Sequence, residues 1–100
     1  MKQALIRYKT KPERVQENER LIEKVFEELR ATSPQDVRYL ALKLGDGSFV
    51  HIVFESEEGA GRLPELEAFR SFRSGIKERC LEQPLANDAT VIGNYRMLGE

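Results

Sequence analysis

The sequence predicts an α+β chain whose elements run β-α-β-β-α-β, with an antiparallel sheet backed by two helices. Three observations predict it. Two strand-like runs, 37–44 and 48–56, are separated only by the turn triplet Gly45-Asp46-Gly47. A stretch with apolar residues at helical spacing lies on either side of that pair. The chain also opens and closes on runs of strand-forming residues. One hundred residues, 40% of them apolar, suffice for a single domain over 1–100 with one core, without disulfides or a structural metal.

Each element follows from local pattern. In KQALIRYK, 2–9, Ala4, Ile6 and Tyr8 alternate with Leu5, Arg7 and Lys9, the period of a strand. Thr10 is placed to cap the next helix, with Glu13 three positions on and Pro12 in the first turn. From 12 to 31, Val15, Ile22, Val25, Phe26 and Leu29 make one stripe opposed by charged residues, an amphipathic helix. Pro34 ends it by disfavouring helix at Ser33. The Gly-Asp-Gly link accepts positive φ and predicts a β-hairpin between the next two strands. EEGAGR, 57–62, is a loop. A second helix over 63–83 carries Leu66, Phe69, Phe72 or Arg73, Ile76 and Cys80 on one stripe, with Gly75 inside it at a cost of about 1 kcal/mol relative to alanine. Pro84 closes that helix, and ATVIGNYRML, 89–98, is the last strand. This order is the ferredoxin-like split βαβ arrangement.

In the hairpin, Leu40, Leu42, Leu44, Val50, Ile52 and Phe54 form the more apolar set and are expected to meet the helices. The opposite set, with Tyr39, Phe49, His51 and Val53, is then an open face too apolar for water. A second copy packed on it about a two-fold axis covers both, so the expected partner is the chain itself, as a homodimer through the open sheet face. His51, the only histidine, is expected inside that interface.

The element order, the size, the FVHIVFES strand and the closing ATVIGNYRML strand resemble the dimeric α+β-barrel superfamily. Within it, the chain is similar to the small antibiotic-biosynthesis-monooxygenase-type bacterial proteins, many of unknown function. The resemblance implies an apolar pocket for a small apolar or aromatic ligand. As an alternative, it implies a cofactor-independent monooxygenase acting on aromatic or quinol-like substrates, in which the substrate's own ring supplies electrons to oxygen. A third reading is a non-catalytic dimerisation or regulatory module. Members of the group often place a tryptophan, an asparagine and a histidine around the pocket. Here tryptophan is absent, and the residues available are Asn94 on the last strand and His51 on the third.

The candidate site therefore rests on few residues. His51 is the candidate catalytic group, and Arg7, Tyr8, His51 and Tyr95 are the candidate ligand-binding set, with Tyr39 a neighbour across the hairpin. A buried imidazole, or one beside an arginine, stays neutral at pH 7 and can accept a proton. Sixteen basic and seventeen acidic residues leave a net charge of −1, which supplies no bulk attraction to nucleic acid or anionic membrane. No metal site is expected from one histidine and the lone Cys80, and no cofactor, since phosphate-loop and dinucleotide spacings are lacking. A reduced, cytoplasmic setting is the expectation from the single cysteine and the lack of a signal-like or membrane-spanning apolar run.

Overall fold

The computed structural model describes residues 2–55 and 62–97. The loop expected at 57–62 therefore lies outside the described residues up to Gly61, as does Leu98, the end of the expected last strand. Strand β1 runs Lys2–Thr10, helix α1 Val15–Thr32, β2 Val37–Lys43 and β3 Ser48–Glu55. Three short helices follow, α2 Arg62–Glu65, α3 Glu67–Arg73 and α4 Ile76–Arg79, and then β4, Cys80–Asp88. The sheet is antiparallel in the order β2-β3-β1-β4, the ferredoxin-like topology.

Thr10 does not cap the first helix. It stays extended because it pairs with Cys80 on β4, and the chain turns afterwards through a 3-10 turn at Pro12–Arg14. Helix α1 ends as Pro34 requires, with Ser33 in the left-handed region at φ 46° and its N–H bonded to the Leu29 carbonyl. The Glu28 side chain then reaches across to α3, accepting hydrogen bonds from the N–H groups of Ala68 (2.8 Å) and Glu67 (3.3 Å). An acidic side chain from one helix thus satisfies the open N-terminus of another and fixes their contact.

The second helical region is not continuous. Leu66 and Ser74 are extended, and Gly75 is left-handed at φ 79°, so the chain breaks twice and re-enters at a new phase. That glycine permits the second break, because an L side chain rarely adopts such a φ. The predicted stripe nevertheless points inward, with Leu66, Phe72 and Cys80 buried.

The last strand is Cys80–Asp88 and not 89–98. Pro84 lies inside it, where the register slips: Arg7 faces Leu85 while Lys9 faces Glu82. One extra residue on an edge strand makes a bulge, and a bulge at an edge tolerates a proline that cannot donate to the ladder. Beyond Asp88 one further bond, Ala89 N–H to the Gln3 carbonyl at 3.1 Å, continues the pairing before the chain leaves the sheet.

The hairpin forms as expected, with Gly47 at φ 86°, but its faces are inverted. Tyr39, Phe49, His51 and Val53 lie under the helices, with Tyr8, Val25 and Phe72 at the centre of the core. The aliphatic set looks outward, Leu40 and Leu42 each 43% exposed. The expected placement of His51 in an open-face interface is therefore corrected: it is 3% exposed within the chain's own core. The physical reason is hydrogen bonding. His51 needs polar partners when buried, and this face supplies them in the Tyr8 and Tyr39 hydroxyls, with Asn18 from α1 bonded in turn to Tyr8, whereas an aliphatic set needs only another apolar surface.

Candidate functional site

The site begins with register. On the helix-facing side of the sheet, Tyr8 pairs with Phe49 on β3 and Tyr39 pairs with Val53. His51 lies between those two β3 positions, so both tyrosines reach it diagonally, a distance that ring side chains span. The Tyr8 hydroxyl is 2.8 Å from His51 Nε2, and the Tyr39 hydroxyl contacts His51 Nδ1 from the other side.

The chain of contacts continues into the helices. Asn18 Nδ2 donates to the Tyr8 hydroxyl at 2.9 Å, and Arg79 Nε donates to Asn18 Oδ1 at 3.1 Å. Arg79 also donates to the carbonyls of Ser74, at 3.1 Å, and Phe72, and its guanidinium stands 5.4 Å from the Phe72 ring centroid. Residues from β1, β2, β3, α1 and α4 thus form one unbroken line, Arg79–Asn18–Tyr8–His51–Tyr39. Its first four members are at most 3% exposed, and only Tyr39 is partly exposed.

Aromatic rings insulate this line. Phe49 stacks on Tyr8 at 5.4 Å between centroids, Phe72 lies 5.5 Å from the His51 ring, and Phe26 meets Tyr39 edge-on at 5.2 Å. Burial accordingly dominates the ionisation behaviour. It pushes the His51 imidazole down to about 4, so the ring is neutral at pH 7, and it holds both tyrosine hydroxyls well above their ordinary value. Desolvation also pulls the Arg79 guanidinium down, with Glu17 the leading opposing charge. What remains is a neutral imidazole suspended between two neutral phenols, able to orient and pass hydrogens but carrying no charge of its own.

Tyr39 lines a cleft of about 210 Å³ between the end of α1 and the β2 edge, with Phe26, Leu29, Arg30 and Val37 among its walls. Tyr39 is the member of the line that borders this cleft. Tyr8 and His51, both expected in the site, are brought together. Arg7 and Tyr95 are not. Arg7 lies on the open face, opposite Val50 and Leu85, in an exposed ion pair with Asp46 at 4.0 Å. Tyr95, 78% exposed, lines a separate depression of about 430 Å³ on the open face with Leu40, Ile52, Phe54 and Met97. Asn94 lines that depression too, and Tyr39 also borders it.

Asn18 and Arg79 were absent from the expected set. Asn18 had a legible signal: it stands three residues after Val15 and four before Ile22, a polar residue on the apolar stripe of α1. Arg79 had none, because its burial depends on the phase change at Gly75. Among the described residues no cluster of three or more histidine, cysteine or acidic groups could hold a metal ion. Cys80 is buried and its thiol is pushed up by burial, which makes it a poor nucleophile.

The chain has the ferredoxin-like α+β fold, and its structural neighbours are antibiotic-biosynthesis-monooxygenase-like proteins. A crystal structure of an antibiotic biosynthesis monooxygenase superimposes with a TM-score of 0.74 at 18% identity, covering 93% of this chain and 100% of that one. A candidate antibiotic biosynthesis monooxygenase from Nitrosomonas europaea gives 0.73 at 12% identity, covering 91% and 89%. SnoaB, a cofactor-independent oxygenase from Streptomyces nogalater, gives 0.67 at 18% identity, covering 99% and 97%. No protein-family model matches the chain, and no curated protein matches it. Likeness at these identities establishes the fold, and the chemistry must be argued from the residues themselves.

Proposed function

We propose that the chain is a homodimeric small-molecule-binding protein that takes a small aromatic or apolar ligand in the helix-side cleft at Tyr39. One observation carries this reading: the hydrogen-bonded line of five side chains that starts at a buried arginine and ends at that cleft. An apolar core of the same shape would generally be as stable as a buried polar network or more so, so the line is better explained by a ligand than by stability. The cleft suits one aromatic ring held by Phe26, Leu29 and Val37, with Tyr39 supplying a polar contact. Titration of uniformly labelled protein with one-ring aromatics tests it. The expected NMR shifts centre on Tyr39, Val37, Leu29 and the His51 ring. Shifts confined to Leu40, Phe54 and Tyr95 would place binding on the other face and end this reading.

The homodimer is supported by the outward face. Register aligns Leu42, Val50, Arg7 and Leu85 in one row and Leu40, Ile52, Leu5 and Asn87 in the next, a largely apolar surface of the kind that marks a contact. Self-complementary packing about a two-fold axis is the commonest way such a face is covered. The contact proposed thus uses the opposite face from the one expected for His51.

Cofactor-independent oxygenation is the second reading, favoured by the near full-length likeness to SnoaB. In that chemistry the substrate supplies the electrons, and the chain supplies an apolar site and a proton-handling group, here the neutral His51 relayed through Tyr39. Oxygen uptake with quinol-type aromatics, abolished in a folded His51→Asn variant, is the expected result under this reading. Uptake no faster than the protein-free rate with every such substrate would rule it out for them.

A further inference from the structure

The buried line has a direction, and its direction is set at the arginine. A guanidinium has only donors, so Arg79 Nε can meet only the carbonyl oxygen of Asn18. The Asn18 amide is thereby fixed, with its Nδ2 turned toward Tyr8, and the usual ambiguity of amide orientation does not arise. The Tyr8 oxygen accepts that bond, which leaves its own hydrogen to place. Tyr8 is 2% exposed and walled by Phe49 and Phe72, and the remaining partner of its hydroxyl is His51 Nε2. Tyr8 therefore donates to Nε2, which must be unprotonated. A neutral His51 then carries its hydrogen on Nδ1 and donates it to the Tyr39 oxygen.

A count of hydrogens gives the same polarity. Asn18, Tyr8, His51 and Tyr39 each bring one hydrogen to the line, and the line has three links to fill. One hydrogen is left over. In the polarity set by Arg79 it is the hydroxyl hydrogen of Tyr39, the member that lines the cleft. In the reverse polarity the spare hydrogen would be that of Tyr8, sealed among phenyl rings with nothing to accept it.

We propose that Arg79 and Asn18 are positioning residues that orient the line so that Tyr39 offers a hydrogen to the cleft, selecting ligands with an acceptor oxygen: a ketone, quinone or carboxylate. This rests on the ligand-binding reading above and names the chemical class that the cleft takes. A purely hydrogen-donating group would find the Tyr39 oxygen already accepting from His51. Arg30 at the cleft wall adds a cation that favours the same class.

With one histidine in the chain, nitrogen-15 NMR of labelled histidine reads the polarity from a single ring. The expected wild-type result is a protonated Nδ1 and an unprotonated Nε2 at pH 7. Asn18→Asp keeps the shape and the Arg79 contact but puts an acceptor opposite Tyr8. Tyr8 should then donate to the introduced carboxylate, and the tautomer should switch to protonated Nε2. Binding is read with acetophenone and its isostere α-methylstyrene, which differ only in the acceptor oxygen. The wild type should bind acetophenone roughly three- to tenfold more tightly, the range expected of one net hydrogen bond, and Asn18→Asp should lose that preference. A wild-type ring protonated on Nε2 overturns the polarity whether or not any probe binds. A ring protonated on Nδ1 with equal binding of the two probes overturns the ligand class while leaving the cleft as the binding site. A ring protonated on Nδ1 with no binding of either probe upholds the polarity and overturns the binding reading on which the class depends.

Discussion

His51 Nε2 and the hydroxyl of Tyr8 lie 2.8 Å apart, joining two residues forty-three positions distant across adjacent strands. Tyr8 is the hinge of the whole line, since its single oxygen serves both Asn18 and His51. Removing that oxygen leaves two buried polar groups without a partner. We expect Tyr8→Phe to lose about 1–3 kcal/mol, the usual cost of a buried unsatisfied group. Urea unfolding checks it against Tyr95→Phe, which should fall within about 0.5 kcal/mol of wild type as an exposed substitution does.

Acid should weaken the fold through the same imidazole. The unfolded ring titrates near its ordinary value of 6.5 and the folded ring near 4, so between these values the unfolded chain binds more protons. Stability therefore falls as pH drops through that window, by up to about 1.4 kcal/mol per pH unit. Unfolding midpoints from pH 7 to pH 4 should show this slope, and His51→Asn should flatten it, leaving only the carboxylate contribution.

Gly75 separates α3 from α4 at φ 79°. A Cβ there meets Arg79 and Glu78 side-chain atoms at 3.7 and 3.8 Å, which is ordinary contact, so the cost of Gly75→Ala is conformational. A left-handed L residue loses about 1–2 kcal/mol, and we expect the thermal midpoint to fall by about 4–8 °C for each kcal/mol lost. Because Arg79 follows four residues later, the variant should also broaden the His51 ring signals.

Leu40 and Leu42 stand side by side with Ile52 and Val50 on the outward face. Leu40→Asp places a charge in the proposed subunit contact without touching the core under the helices. Sedimentation equilibrium should give a dimer for wild type and a monomer for the variant, with the His51 environment unchanged. A wild type that stays monomeric at high concentration contradicts the proposed homodimer.

How much of this was legible in the sequence depends on what kind of information each feature needs. The hairpin is local: alternation on both sides of Gly45-Asp46-Gly47 and a glycine at positive φ suffice, and both are written in consecutive residues. The end of α1 at Ser33 is local for the same reason. Pro84 misled because a proline reads as a terminator, yet its tolerance depends on the neighbouring strand: only the bulge against Arg7 and Lys9 explains it. The displacement of the last strand follows from that one residue. The inversion of the hairpin's faces has a different origin. Alternation sorts residues into two sets but does not say which set meets the helices, and the aliphatic set was the more apolar. Asn18 on the α1 stripe was the clue, since a polar group there demands a polar partner on the sheet, and the Tyr8 hydroxyl is that partner. A polar link from α1 to the Tyr8 and His51 face was thus legible in the sequence, while Arg79 was not, its position being set by the break at Gly75.

The central claim is that His51 is a neutral core residue, tied to Tyr8 and Tyr39 within one subunit and not part of the contact between subunits. Following its ring by nitrogen-15 NMR from pH 8 to pH 4, in wild type and in Leu40→Asp, tests this most directly. We expect the ring to stay neutral until close to pH 4, with identical signals in the two proteins. Titration near 6.5, or signals that change when the subunit contact is broken, would contradict it.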